Sequence, residues 1–374
     1  MKNKKAVAAG YTCVDITPVF PENARKVDDL REILKPGKLI NVLAPDIHTG
    51  GSVSNTGLAM KVLGADVKLI GKIGADYWGE IIREIFSRYN AASDLIVTPS
   101  ETTGYTFVLA VPGIDRIFMT CPGANDSFDG SEISDEVLND VALFHFGYPP
   151  VMRKMFIEEG KYLVNMFKRI KAMGIATSLD LSAIDLESEA GSANWQGILA
   201  NVLPYVDFFV PSFEELCLIL DRERYERLSK LAGNSDITNF LDLNEDIIPL
   251  AKKCLALGAK AVLLKCGEPG LFLMTSSKIS EVGERLELDS GAWENFCRFE
   301  KSFKIPQVLS GTGAGDVSIA AFLVSLLEGK GPGEAVENAA AAGALCCLSY
   351  DAVSSLKTLA EIRKLIDSGW EKAY

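Results

Sequence analysis

From about residue 56 onward the chain switches repeatedly between two hydrophobic rhythms, and that switching confines it to a layered fold. "SNTGLAMKVLGA" has a polar start, an apolar stripe and a glycine stop, which predicts a helix. "DVKLIGKIG" follows as a strand, and "DYWGEIIREIFSRYNA" sets Ile81, Ile82, Ile85, Phe86 and Tyr89 on one side of a second helix. The alternation returns in "VALFHFG", "GKYLVNMFKRIKAMG", "IATSLDLS", "VDFFVPS", "IIPLAKKCLALG", "AKAVLLKCG" and "GLFLMTS". Helices alternating with short apolar strands predict an α/β architecture around a mostly parallel sheet covered on both faces.

Two regions depart from this rhythm. Residues 15 to 50 lack a helix-strand alternation, and "TTGYTFVLAVPGIDRIFMTC", starting at Thr102, reads as two strands around a turn containing Pro112 and Gly113. Together they predict a small β layer apart from the main sheet. The charged stretch 221–246 and the stretch 276–305, "SSKISEVGERLELDSGAWENFCRFEKSFKI", read as insertions, with Trp293 and Phe296 forming a small core of their own.

Charge and cysteine usage remove several function classes. With 38 basic residues against 50 acidic ones, the net charge of -12 leaves no basic face to release counterions from nucleic acid or to grip an anionic membrane. The start, "MKNKKAVAAGYTCVDITP", carries lysines, but its apolar run is cut by Asp15 and Pro18 and reads as a first strand. No stretch approaches the roughly 18 apolar residues that span a bilayer, so the expected location is the cytoplasm. The eight cysteines are scattered, without a C-x-x-C pair, and read as reduced, partly buried residues. His48 and His145 alone give little support to zinc or Ser-His-Asp chemistry.

The stretch "SGTGAGDVSIAAFL", Ser310 to Leu323, carries the most chemistry. Small residues stand directly before an apolar helical run, so Gly313, Ala314 and Gly315 present backbone N–H groups at the positive end of a helix dipole, as an anion pocket does. Asp316 stands beside that pocket. It is either the cap of the helix or a base that takes a proton from a hydroxyl attacking a bound phosphoryl group. The phosphate-loop pattern G-x-x-x-x-G-K-[ST] is absent.

"GTGAGD" followed by a helix resembles the C-terminal signature of the PfkB, or ribokinase-like, carbohydrate kinase family. "HTGGSVSNTGLAMKVLGADVKLIGKIGADYWGEII" resembles that family's N-terminal signature, with Gly50 and Gly51, Asn55, and the series Gly64, Gly71, Gly74, Asp76, Gly79. The resemblance implies a three-layer ribokinase-like α/β core with a mostly parallel central sheet, plus a small β-sheet lid. The core would comprise 1–14, 56–100 and 126–374, and the lid and acceptor site 15–55 and 101–125. It further implies Asp316 as catalytic base, Gly313 to Gly315 as anion hole, and Asp15, Gly50, Gly51 and Asn55 as binders of the substrate, with Arg116 above it. "LLKCGEPGLFL" resembles the turn beside the nucleotide, which implies Lys265 near the phosphates with Gly267 and Gly270 in the turn, and Asn338 on the adenine side.

Two departures stand out. The family's Asn-x-x-Glu appears as Ser212-Phe213-Glu214-Glu215, so Glu215, which supports magnesium through water in the family, is present and the asparagine is not. The usual Asp-Thr before the glycines is Ser310-Gly311. The implied cofactors are ATP and magnesium, with a monovalent cation left open. The implied reaction is transfer of the γ-phosphoryl of ATP to a hydroxyl, a primary one, of a sugar. Exposed lid edges leave a homodimer open, and a nucleoside kinase of the same fold or a non-catalytic sugar or nucleotide sensor stand as alternatives.

Overall fold

Residues 4–21, 24–27, 29–114, 117–233 and 235–373 are described by a computed structural model. Among them fourteen strands run in chain order: β1 (Lys5–Gly10), β2 (Cys13–Thr17), β3 (Asp46–Gly50), β4 (Asp66–Ile70), β5 (Lys72–Gly74), β6 (Ile96–Thr98), β7 (Tyr105–Leu109), β8 (Ile117–Cys121), β9 (Val141–Gly147), β10 (Ala176–Leu179), β11 (Phe208–Phe209), β12 (Ala261–Lys265), β13 (Gly270–Thr275) and β14 (Cys297–Lys301). Eight form the central sheet in the order β14-β13-β12-β11-β10-β9-β1-β4. The pairings from β4 to β12 are parallel, and β13 and β14 close one edge antiparallel.

The period of two along each central strand divides the core. In β12, Ala261 and Leu263 face a cluster containing the helices Leu58–Leu63, Ala314–Leu327 and Pro332–Cys346, while Val262 and Leu264 face a second cluster with Lys161–Ala172, Trp195–Val202 and Ile248–Ala256. All seven residues of β9, "VALFHFG", are buried, as a parallel strand covered on both faces requires. This is the three-layer arrangement that the alternating rhythms predict. No helix among the described residues is long and apolar enough to cross a membrane.

The second sheet has the order β3-β2-β7-β8. Its turn between β7 and β8 joins an antiparallel pair in which Phe107 stands opposite Met119, as the Pro-Gly stretch predicts. β2 and β7 pair in parallel, with Asp15 opposite Thr106, and β3 adds to the other side of β2, with His48 opposite Asp15.

The stretch 276–305 corrects the expectation of an insertion. Cys297–Lys301 is β14, the edge strand of the central sheet, and Trp293 is 1% exposed in the main core. Its ring centroid lies 6.0 Å from Phe208 and 5.9 Å from Phe322, so it joins the sheet to a helix instead of forming a satellite core. An antiparallel edge strand, reading "CRFEK" with one buried residue, lacks the apolar run that marks its neighbours. Residues 221–246 form a helical excursion: Arg222–Ala232, a 3-10 turn at Ile237–Phe240, and Leu243–Ile247.

Candidate active site

Both sheets contribute to one cleft of about 980 Å³. The C-terminal ends of the parallel strands supply Tyr148 after β9 and Lys265 at the end of β12, and the small sheet supplies Asp15, Thr106 and Thr120. Gly51 enters directly after β3 and Asn55 from the helical turn Val53–Gly57 that follows, and Thr312, Gly313, Gly315 and Asp316 from the head of the helix Ala314–Leu327. Clefts at strand ends are where α/β sheets bind ligands, because the loops there are free to carry polar groups.

The head of that helix is set by Gly313, whose φ of 78° lies in the left-handed region that costs glycine nothing. The turn brings the chain into the helix without a side chain over its N-terminus. The first helical N–H groups have no partner one turn back, although the Ala314 N–H reaches Gly311 O at 3.3 Å. The rest of the helix is anchored: from Asp316 through Leu327 every residue is buried.

Asp316 is 6% exposed. Its carboxylate accepts from Asn55 Nδ2 at 3.1 Å, from Thr56 Oγ1 at 3.3 Å, and from the Tyr148 hydroxyl at 2.9 and 2.8 Å. Burial raises its pKa above the ordinary carboxylate value, against the pull of the Lys265 charge and of these donors. Lys265 in turn lies in an ion pair, Nζ 2.6 Å from Asp180 Oδ1, with its stem packed beside Gly315. Burial alone would discharge it, yet Asp180, Glu215 and Asp316 around it push its pKa up, so it stays cationic. Asp180 is fully buried, its Oδ2 without a partner, and burial pushes its carboxyl up to about 8.

Asp15 points into the cleft from β2. It accepts from the Cys13 thiol at 3.3 Å, and burial raises its pKa. Gly50 sits behind it so closely that a Cβ there would lie 2.2 Å from Asp15 Oδ2, which explains a residue without a side chain at that point.

The sequence-predicted residues separate into three groups. The structure brings Asp15, Gly51, Asn55, Glu215, Lys265, Gly267, Gly313, Gly315 and Asp316 to the cleft lining, with Gly50 behind Asp15 and Ala314 opening the helix. Gly270 begins β13, where its carbonyl accepts from the Cys266 N–H at 2.9 Å. Asn338 is 1% exposed in the helix Pro332–Cys346 and does not reach the cleft lining. It donates to Ser325 Oγ at 3.2 Å, and its Oδ1 has no partner. Arg116 lies outside the described residues.

Ser212 gives the altered Asn-x-x-Glu stretch a structural use. Its hydroxyl accepts from the Glu215 N–H at 3.2 Å and its own N–H donates to Glu215 Oε2 at 3.0 Å, a capping box that starts the helix Phe213–Leu220 and orients Glu215. The sequence reading missed Thr56, Tyr148 and Asp180 around the two charged centres, and Asp236 and Thr238, which bring the 221–246 excursion to the cleft. A serine followed by glutamate three residues later is a visible capping signal. Nothing local marks Tyr148, which ends an apolar run. His145 is buried, its Nδ1 3.0 Å from Ser178 Oγ, and burial followed by the Lys265 charge lowers its pKa to about 3, so it is neutral.

Comparison with known proteins agrees with this fold. The sequence pattern of the pfkB family carbohydrate kinase matches residues 18–359. The chain is similar to a ribokinase of Arabidopsis thaliana, 25% identical over 349 residues that cover 92% of this chain and 79% of the relative. It is also similar to a 5-dehydro-2-deoxygluconokinase of Clostridium beijerinckii, 24% identical over 326 residues, 85% of this chain and 84% of that one. The solved structure of Arabidopsis thaliana ribokinase complexed with ribose and ATP superposes with a TM-score of 0.70 at 22% identity, covering 97% of this chain and 98% of that chain.

Proposed function

The chain belongs to the pfkB family of carbohydrate kinases, and on that premise we propose that it transfers the γ-phosphoryl group of ATP to a primary hydroxyl of a sugar or sugar-like acceptor bound between the two sheets. The observation that carries this reading is the placement of Asp316. A buried carboxylate in the first turn of a buried helix, held by three donors, opens on a cleft that Asp15 also lines. A site built only to hold phosphate would have no use for that negative charge. A site that must take a proton from an attacking hydroxyl requires it.

In this mechanism other hydroxyls of the acceptor hydrogen-bond to Asp15 and Asn55, while the attacking hydroxyl gives its proton to Asp316 as its oxygen bonds to the γ-phosphorus, whose bond to the β-phosphate oxygen breaks and releases ADP. The recessed position of Asp316 favours a hydroxyl on a terminal carbon, which brings the fewest neighbouring atoms with it. Backbone N–H groups of Gly313, Ala314 and Gly315, at the positive end of the helix, meet the charge on the moving phosphoryl group. Lys265 leaves Asp180 for the phosphate chain, and Gly267 and Gly270 shape the turn beside the nucleotide. Magnesium on the triphosphate would neutralise its charge. Glu215, with one oxygen committed to Ser212, would meet that ion through water, and such carboxylate oxygens suit a hard cation.

Residues 15–55 and 101–125 act as the lid of this site, and 1–14, 56–100 and 126–374 as its catalytic core. The lid also carries an apolar row running Ile47-Ile16-Phe107-Met119 in register across its strands, and Ile47, Phe107 and Met119 are exposed. That row supports a homodimer formed through the small sheet.

The test is the initial rate of ADP formation from magnesium ATP across a panel of acceptors, run on the native chain and on Asp316→Asn. The panel includes nucleosides and the acceptors that the relatives' names specify, ribose and 5-dehydro-2-deoxygluconate. Turnover is expected to depend on one class of sugar and to fall at least about a hundredfold in the variant, as for loss of a general base. Equal rates with and without acceptor, or an Asp316→Asn protein as active as the native one, would refute the reading.

A further inference from the structure

The phenol of Tyr148 lies at nearly equal distance from both oxygens of Asp316, 2.9 Å from Oδ1 and 2.8 Å from Oδ2. Asn55 and Thr56 hold one oxygen each from the helix that follows β3, so Tyr148 is the donor that comes from the central sheet. It lines the cleft beside Asn55 and Gly315, where an acceptor hydroxyl must arrive.

Its backbone is unusual. Tyr148 has φ 69° and ψ 39°, the left-handed conformation that a bulky side chain adopts only against steric cost. Gly147 ends β9 before it, and Pro149 and Pro150 open a 3-10 turn after it, so the chain is fixed on both sides. Strain of this kind persists where the surrounding structure holds a side chain in one place, and it concentrates at functional sites.

The charged and titratable groups around the carboxylate come from four further elements. They are Lys265 at the end of β12, Asp180 after β10, Glu215 in the first turn of Phe213–Leu220, and the Cys346 thiol at the end of Pro332–Cys346. Burial pushes the Asp316 carboxyl up, and the bond from Tyr148 is among the interactions that oppose it. The phenol itself stays protonated, since burial and then the charges of Asp316 and Asp180 raise its pKa well above the usual value. It can therefore act as a permanent donor.

We propose that Tyr148 is a positioning residue for phosphoryl transfer: its phenol holds the Asp316 carboxylate in the orientation that receives the acceptor's proton, and is the donor that an incoming hydroxyl has to join or displace. The inference rests on Asp316 being the base. No covalent bond to Tyr148 is made or broken.

The experiment compares native protein, Tyr148→Phe and Asp316→Asn by melting temperature and by kcat and kcat/KM across pH. Tyr148→Phe keeps the ring and removes one oxygen. Loss of a charge-assisted hydrogen bond is expected to lower kcat by about tenfold or more with the KM for ATP unchanged. The ionised form of Asp316 loses a donor, so its pKa rises and the acid limb of kcat/KM should move up by about one pH unit. If Tyr148→Phe lowers the melting temperature, Tyr148→Asn, which tolerates left-handed backbone, should show the same displaced limb. An inactive Asp316→Asn beside a Tyr148 variant with native kcat and an unmoved limb would overturn the role of Tyr148 alone. A reduced rate with an unmoved limb that tracks the folded fraction would do the same. An active Asp316→Asn would overturn the assignment of the base itself.

Discussion

The eight-stranded and four-stranded sheets line the same cleft but are built on different terms. β9 in the large sheet buries all seven of its residues, whereas β8 in the small sheet exposes Phe118, Met119 and Thr120 in succession. Covering both faces of a sheet fixes its strand ends in space, because any shift must move packed side chains on two sides. A sheet covered on one face can change residues on the other at little cost. The division of work follows: Asp316, Lys265 and Tyr148 stand on or beside the doubly covered core, and Asp15, Thr106 and Thr120 stand on the thinner layer. On the proposed function, the core sets the chemistry and the small sheet is free to set the acceptor.

That contrast can be broken by substitution. The largest effect is expected from Phe322→Ala, which empties the point where the Ala314–Leu327 helix meets Phe208 and Trp293. Phe322 is 0% exposed, and the loss should be about 3–5 kcal/mol of unfolding free energy in a denaturant titration. Activity should fall with it, since the same helix carries Asp316. If Phe322→Ala costs less than a surface substitution, the core is not the rigid partner described above.

Asp15→Asn should act on binding and leave the fold alone. Weakening one charge-assisted hydrogen bond to the acceptor is expected to raise the KM for sugar about tenfold. The KM for ATP and the melting temperature should stay at native values, and an equal change in both Michaelis constants would merge the two roles that the sheets keep apart. The smallest effect belongs to Met119→Ser on the outer row, within about 0.5 kcal/mol in the stability of the subunit. If the small sheet pairs with a second copy, the same variant should reduce the sedimenting mass from dimer to monomer. A native and variant protein of equal mass would leave that row without a partner.

How much of this could be read in the sequence depended on how local each signal is. Central strands such as "VALFHFG" and "AVLLK" announce themselves because burial on both faces demands consecutive apolar residues. The glycines before Asp316 announce a helix N-terminus because backbone and small side chains are enough to make it. β14 was missed because an edge strand shares one flank with solvent and carries Arg298, Glu300 and Lys301 in five residues. Tyr148 and Asp180 escaped for a different reason: each ends or follows an apolar strand, and its meaning lies in a partner brought from far along the chain. Asn338 shows the converse, since an asparagine in an alanine-rich stretch looks available in sequence and is enclosed in the middle of the helix Pro332–Cys346.

The hydrogen bond between Asn55 and Asp316 joins residues 261 positions apart. Its consequence lies in how the enzyme comes into being. Strands β1 and β4, at one end of the large sheet, must wait for β9 to arrive before they can join the rest of it, and contacts of such long range form late and slowly. During synthesis the small sheet and the first helices emerge well before the glycine-rich turn, so a growing chain carries Asp15 and Asn55 while it lacks Asp316. With Asp316 as the proposed base, phosphotransfer begins only once the final segments have docked, and a chain interrupted short of Gly313 would be silent instead of a wasteful consumer of nucleotide.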